Sequence, residues 1–196
     1  MSAGPGVTIL LLAAGASSRM RGRDKLLEEV DGRPLLRRQA EAAVATGAPV
    51  IATLPPRAPG RRAALAGLPV AVVEVPDAAE GMARSLSAGA RAAGAPRGLL
   101  VVLADMPEIT AEDMAALIEA FDGRTILRGA AEDGTPGHPV LFPRHLLADL
   151  AGLSGDSGAR EIIREHGARP LHLPARHALT DLDTPEAWDA WRAARR

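Results

Sequence analysis

The 196-residue sequence contains no cysteine. That absence excludes disulfides, thiolate metal ligands, iron–sulfur clusters and a cysteine nucleophile, and it is compatible with a reducing cytoplasm. Tyrosine is missing as well, and two phenylalanines and two tryptophans are all the aromatic residues there are. So few rings leave little to stack on bases, which argues against a single-stranded nucleic-acid platform. The formal net charge is −1, so no global field recruits nucleic acid or an anionic membrane, and arginines matter only where they cluster. The first apolar run is far too short to span a bilayer, and Met1 to Gly6 carries no basic residue ahead of it. The expectation is a soluble, unexported, cytoplasmic protein with neither nucleic-acid nor membrane partners.

What the chain does contain is an alternation of apolar runs and helical patterns. Val7 to Ala13 (VTILLLA) and Gly98 to Ala104 (GLLVVLA) are continuously apolar, as strands buried on both faces are. Shorter strands are expected at Pro49–Leu54, Val70–Val75, near Thr125–Arg128 and at His138–Phe142. Helical patterns cover Pro34–Thr46, then Gly81–Ala93 with Met82, Leu86, Ala90 and Ala93 as its buried stripe, and Thr110–Phe121 behind a capping-box spacing. Further helices are expected near Arg144–Leu150 and Gly158–His166, and a last one capped at Thr184 packs Trp188 and Trp191 onto the sheet. The stretch Pro55–Gly60 reads as a loop. Strands alternating with helices imply an α/β protein whose mainly parallel sheet is covered on both faces, in one domain of residues 1–196. Ligands of such sheets bind outside the carboxyl ends of the strands.

Two candidate features fall at such ends. After the first strand, Ala13, Ala14, Gly15 and Ala16 are small enough for a phosphate to approach the backbone N–H groups. Arg19, Arg21, Arg23 and Lys25 follow, interrupted by Asp24. A triphosphate suits this loop, although a solvated turn would read the same way. Neither G-x-x-x-x-G-K-[ST] nor G-x-G-x-x-G is present. At the end of the second apolar run stands Asp105, either the cap of the next turn or a carboxylate for Mg²⁺, which takes hard oxygens from one or two carboxylates plus substrate phosphates.

The segments LLLAAGASSRM…DKLL, VVLADMP, GTPGHPVLF, GDSGAR and TDLDTPEAW occur in this order and resemble the nucleotidyltransferases that attach a nucleotide to molybdopterin. The resemblance implies a three-layer, Rossmann-like nucleotidyltransferase fold, Mg²⁺ as metal, and molybdopterin or the molybdenum cofactor as acceptor, with a molybdenum hydroxylase receiving the product. By motif, Leu12, Ala13, Ala14 and Gly15 would hold the nucleotide through backbone groups, Arg19 and Lys25 its phosphates, and Asp105 the metal. Family members with Ala-Gly at Ala14-Gly15 tend to use CTP and those with Gly-Gly use GTP, so CTP is the expected co-substrate. The family's Arg-Met-Gly appears here as Arg19-Met20-Arg21-Gly22, one residue longer before Lys25, leaving open which of Arg21, Arg23 and Lys25 reaches the phosphate. Ser85 is either a helix-entry cap or a nucleotide contact. His138 is either structural or an acceptor-side contact, and Asp156 and Arg160 either begin an ordinary helix or meet the pterin phosphate. Asp183 is a candidate second metal ligand beside a capping role. A GTP-using enzyme, an enzyme with another phosphorylated acceptor, and a non-catalytic molybdopterin carrier are the rival readings.

Overall fold

The first apolar run forms strand β1 (Val7–Leu12) in the computed structural model, which describes residues 6–154 and 158–195. A two-residue hairpin of β2 (Glu29–Val30) and β3 (Arg33–Pro34) follows. It turns at Asp31-Gly32 with φ of 52° and 74°, the Asp-Gly pattern favoured where both central residues are left-handed. Next come α1 (Leu35–Ala45), β4 (Val50–Leu54), α2 (Pro59–Leu65), β5 (Val70–Glu74), α3 (Met82–Ala92), β6 (Gly98–Leu103) and α4 (Ala111–Glu119). The chain then adds β7 (Leu127–Ala130), β8 (Pro136–Pro143), α5 (Leu147–Ala151), α6 (Arg160–His166), β9 (Arg169–His172) and α7 (Pro185–Ala194).

Seven strands form one sheet in the order β5-β4-β1-β6-β8-β7-β9. All pairs are parallel except those made by β8, which runs antiparallel to both β6 and β7. The sheet is thus mostly parallel, as the alternation of elements implies. β1 and β6 lie side by side at its centre, with Leu12 opposite Leu103. Alternate residues feed two cores. Ile9, Leu11, Leu100 and Val102 pack on the α1 and α4 side, and Leu10, Leu99 and Val101 on the α3 side. That is why both runs are apolar without alternation; each fully buried aliphatic side chain stabilises the fold by ~1.5–3 kcal/mol. α3 comes close to β1 because it presents Gly89, where a Cβ would collide with Leu10.

Three sequence expectations need correction, and one strand had no sequence expectation. Pro59 and Gly60 do not lie in a loop but open α2, with proline in its first turn, where the missing N–H costs nothing. Met82 is 51% exposed; the buried stripe of α3 runs instead through Ala83, Leu86 and Ala90. Trp188 packs α7 against Met20, Val30, Leu35 and Leu182 rather than onto the sheet. β9, whose residues are mostly exposed, lacks the apolar run that would have marked it as a strand. None of the helices among the described residues is long and apolar enough to cross a membrane.

Candidate active site

The loop after β1 is held open by buried contacts. Arg61 on α2 is only 4% exposed. Its Nε and Nη2 donate to the two oxygens of Asp24 at 2.7 and 2.9 Å, and its Nη1 donates to the Ala13 carbonyl at 2.6 Å. Asp24 accepts from the Leu26 N–H at 3.0 Å, and Ser17 Oγ accepts from the Lys25 N–H at 3.3 Å. Met20, fully buried beneath Trp188, anchors the far side. Between these anchors the N–H groups of Ala14, Gly15 and Ala16 donate to no described residue, as an anion cradle requires. Ala13 differs from the sequence expectation. Its N–H donates to the Thr53 carbonyl and its own carbonyl is taken by Arg61, so it shapes the loop instead of facing a ligand.

The four cations of the loop separate clearly. Arg21 pairs with Glu186 at 2.5 Å and Arg23 with Glu28 at 3.0 Å, both arginines largely solvated, where such pairs contribute little. Lys25 alone lines the cleft. Its Nζ lies 2.5 Å from Asp105 Oδ2 and 2.5 Å from Asp183 Oδ1, and Asp183 Oδ2 accepts from Arg19 Nη1 at 2.5 Å. Burial works against the ammonium, but Asp105 and Asp183 outweigh it and raise the Lys25 pKa above its ordinary value. Burial likewise opposes the Asp183 carboxylate, and Lys25 and Arg19 overcome it to hold its pKa below the usual carboxylate value.

Three elements bring these groups together. The Ala104 N–H donates to the Leu12 carbonyl at 3.3 Å, so the loops after β1 and β6 emerge as neighbours. Buried Gln39 on α1 donates to the Met106 and Ile109 carbonyls at 2.9 and 3.2 Å, and Arg38 donates to the Pro107 carbonyl, pinning the turn that carries Asp105. The Leu182 N–H donates to the Asp105 carbonyl at 3.3 Å, which brings Asp183 across. Asp105 does not cap the turn that follows it, since its Oδ2 accepts from Lys25 Nζ; the helix beyond is capped as expected by Thr110, in a reciprocal capping box with Asp113. Asp105 Oδ1 is buried with no hydrogen-bond partner among the described residues, an arrangement that calls for a ligand.

A cleft of about 310 Å³ lies against this array, lined by Leu12, Ala14, Gly15, Lys25, Ser85 and Asp105 among others. Ser85 is not a helix-entry cap. The N-cap of α3 is Gly81, and Ser85 sits a turn inside, on the cleft wall. Met82 and Leu12 also border a second cleft of about 270 Å³, which brings together Arg128, His138 and Arg160. Burial, then the charge of Arg128, push the His138 pKa down to about 4, while Asp105 pulls the other way. Arg128 had no motif to announce it, since it lies within a short strand. Asp156 lies outside the described residues.

A mostly parallel seven-stranded sheet of this kind is also the fold of solved nucleotidyltransferases. The chain belongs to the MobA-like NTP transferase domain family, whose model matches residues 9–170. It is 30% identical over 183 residues to a molybdenum cofactor guanylyltransferase of Cereibacter sphaeroides, covering 90% of this chain and 91% of that one. It is 31% identical to nicotine blue oxidoreductase of Paenarthrobacter nicotinovorans, covering 82% and 83%. The match to purine catabolism protein PucB of Bacillus subtilis is 33% identical and covers 60% of this chain but only 59% of PucB's length. Among solved structures, Rv0371c of Mycobacterium tuberculosis is 30% identical with a TM-score of 0.80, covering 95% of this chain and 97% of that one. A manganese complex of Rv0371c has also been solved, at 29% identity and a TM-score of 0.75, covering 94% and 97%.

Proposed function

We propose that the chain, as a single domain of residues 1–196, transfers CMP from CTP to the phosphate of molybdopterin or the molybdenum cofactor, releasing pyrophosphate. The observation that carries this reading is the free N–H cradle at Ala14–Ala16 facing Asp105, whose Oδ1 is buried without a partner. A hard divalent ion fits these residues. Asp105 and Asp183 offer carboxylate oxygens, but among the described residues no group of three or more His, Asp or Glu side chains is placed to hold an ion, so other ligands would have to complete its shell. Mg²⁺ works in that way, completing its shell with substrate phosphates and water. Asp105 and Asp183 would hold it, and when bound it neutralises phosphate charge and polarises the phosphoryl group.

The residues of the chain bind and orient. The cradle N–H groups take phosphate oxygens, while Lys25 and Arg19 offset the charge that grows on the leaving pyrophosphate. Ser85 and Ala14 line the nucleotide side, and His138, Arg128 and Arg160 line the side where the acceptor enters. An acceptor phosphate oxygen forms a bond to the α-phosphorus as the bond to the bridging oxygen of pyrophosphate breaks. No protein nucleophile is required, because positioning and charge stabilisation supply the rate. Ala14-Gly15 supports cytidine as the base, and the product would pass to a molybdenum hydroxylase in the cytoplasm.

The name of the C. sphaeroides relative favours a second reading, GTP in place of CTP. One experiment tests both: purified protein, Mg²⁺ and molybdopterin are incubated with CTP or GTP, and pyrophosphate is measured. Release with CTP is expected. Release with GTP alone would overturn the base assignment, and pterin binding with no release from either nucleotide would indicate a carrier.

A further inference from the structure

Asp105 sits in the turn that ends β6, whereas Asp183 sits in residues 173–184, which cross from β9 to α7 without helix or strand. Such a crossing has no ladder to set its path, so side chains must. Its first half is tied down: the Ala178 carbonyl accepts from the His138 N–H at 2.9 Å, and His177 Nδ1 lies 2.8 Å from Asp113 Oδ2. Nearer Asp183, the Leu182 side chain packs against Trp188, and its N–H reaches the Asp105 carbonyl at 3.3 Å, beyond the usual range. Packing and one long bond leave the approach of Asp183 loosely set.

Glu108, three residues beyond Asp105 in the same turn, closes that gap. Its Oε2 accepts from Thr180 Oγ1 at 2.7 Å and its Oε1 from Trp191 Nε1 at 3.0 Å. Thr180 precedes Asp183 and Trp191 follows it on α7, so one carboxylate grips both flanks of the segment that carries Asp183. Bonds to a charged acceptor are stronger than neutral pairs. The Glu108 end is fixed, because Gln39 and Arg38 hold the turn through the Met106, Ile109 and Pro107 carbonyls. Trp191 is steadied by Trp188, edge to ring at 5.9 Å, and by Arg195, 4.4 Å over its face. Glu108 itself lines neither of the two clefts, so any effect it has there passes through the residues it holds.

We propose that Glu108 is a positioning residue: it clamps the Asp183 segment to the Asp105 turn and so sets the span between the two carboxylates. The use of that span, seating a divalent ion, rests on the nucleotidyl-transfer reading. The clamp needs shape, not charge. In Glu108→Gln the amide oxygen accepts from Trp191 while the amide nitrogen donates to the Thr180 hydroxyl, whose hydrogen turns to the Arg176 carbonyl 3.1 Å away. Glu108→Leu keeps the bulk and loses both bonds.

Amide exchange and manganese binding on the full chain test the clamp. Glu108→Leu should speed exchange of the Leu182 N–H about tenfold relative to that of the Ile9 N–H, which donates to the Pro49 carbonyl at 2.8 Å at the start of β1. With saturating CTP it should weaken manganese binding about tenfold, and Glu108→Gln should restore both readings to within about twofold. Thr180→Val should cost about threefold, and nothing further when added to Glu108→Leu; it carries the test if Glu108→Leu fails to fold. Equal acceleration at Leu182 and Ile9 would make Glu108 merely structural, Glu108→Gln as damaging as Glu108→Leu would make it a charge, and unchanged manganese binding would free Asp183 of the clamp. Each of these overturns the proposal. Glu108-dependent protection of Leu182 and manganese binding, in a chain that releases no pyrophosphate with any acceptor, would instead remove the transfer reading and leave the clamp standing.

Discussion

The two clefts meet at Leu12 and Met82, yet they treat charge in opposite ways. At the first cleft Lys25 already has its acids, Asp105 and Asp183, and behind the loop that borders it Arg61 has Asp24. In the second cleft Arg128 and Arg160 stand among apolar walls with no carboxylate lining it among the described residues. The paired site is built to keep its shape and exchange partners when phosphates arrive. The second cleft leaves the half-buried Arg128 and the exposed Arg160 without an acid among its described lining residues, so their charges are open to an entering anion.

Asp105→Asn attacks the paired site most directly. It removes the carboxylate charge while keeping the shape, so pyrophosphate release should fall on the order of 10³-fold with the melting temperature nearly unchanged. Full activity would take Asp105 out of the chemistry and dissolve the contrast. Arg61→Met comes next: it leaves Asp24 and the Ala13 carbonyl without their donor and should cost about 3 kcal/mol, read from urea unfolding. CTP KM should rise while acceptor KM does not; a rise in both would show that the two clefts share one framework.

His138 tests the second cleft. Its pKa is near 6.5 when unfolded and about 4 when folded, so the unfolded chain binds more protons between these values. Stability is therefore full above pH 6.5 and declines as the pH falls toward 4, by about 2 kcal/mol once partial exposure is allowed for. His138→Asn should flatten that part of a urea-midpoint profile. An unaltered slope would mean that the imidazole is solvated. The smallest effect is expected from Ala14→Gly, which should move the ratio of CTP to GTP use by about tenfold toward GTP. No change would place base selection elsewhere in the cleft.

Much of the paired site was legible in the sequence because it sits where strand ends must sit. Two continuously apolar runs read as central strands, and that brings the loop carrying Lys25 and the turn carrying Asp105 to one edge. Asp183 was legible as a candidate, but its approach depends on a backbone bond from Leu182 to Asp105, and no local pattern announces it. Arg61 was missed since α2 begins at Pro59 after a proline-rich turn, and an arginine there reads as solvated. Met82 was misplaced by one position of helical phase, which matters because its exposed side chain borders both clefts. Antiparallel β8 has the same composition in either direction, so its reversal, and the pocket it forms with Arg128, emerges only from the assembled sheet.

The position of Lys25 has a thermodynamic consequence. A divalent ion arriving alone must compete with a cation already tethered to both Asp105 and Asp183. A triphosphate offers the lysine other oxygens, so nucleotide and metal should favour each other, and by linkage whatever factor one adds to the other's affinity is returned in full. Manganese titrations followed by electron paramagnetic resonance should show tighter binding with CTP than without it. Lys25→Met should tighten binding in the nucleotide-free protein, and equal affinities in both forms would show that the lysine does not compete. A site of this kind would resist half-filling and pass from empty to loaded as a pair, with the lysine keeping the place in between.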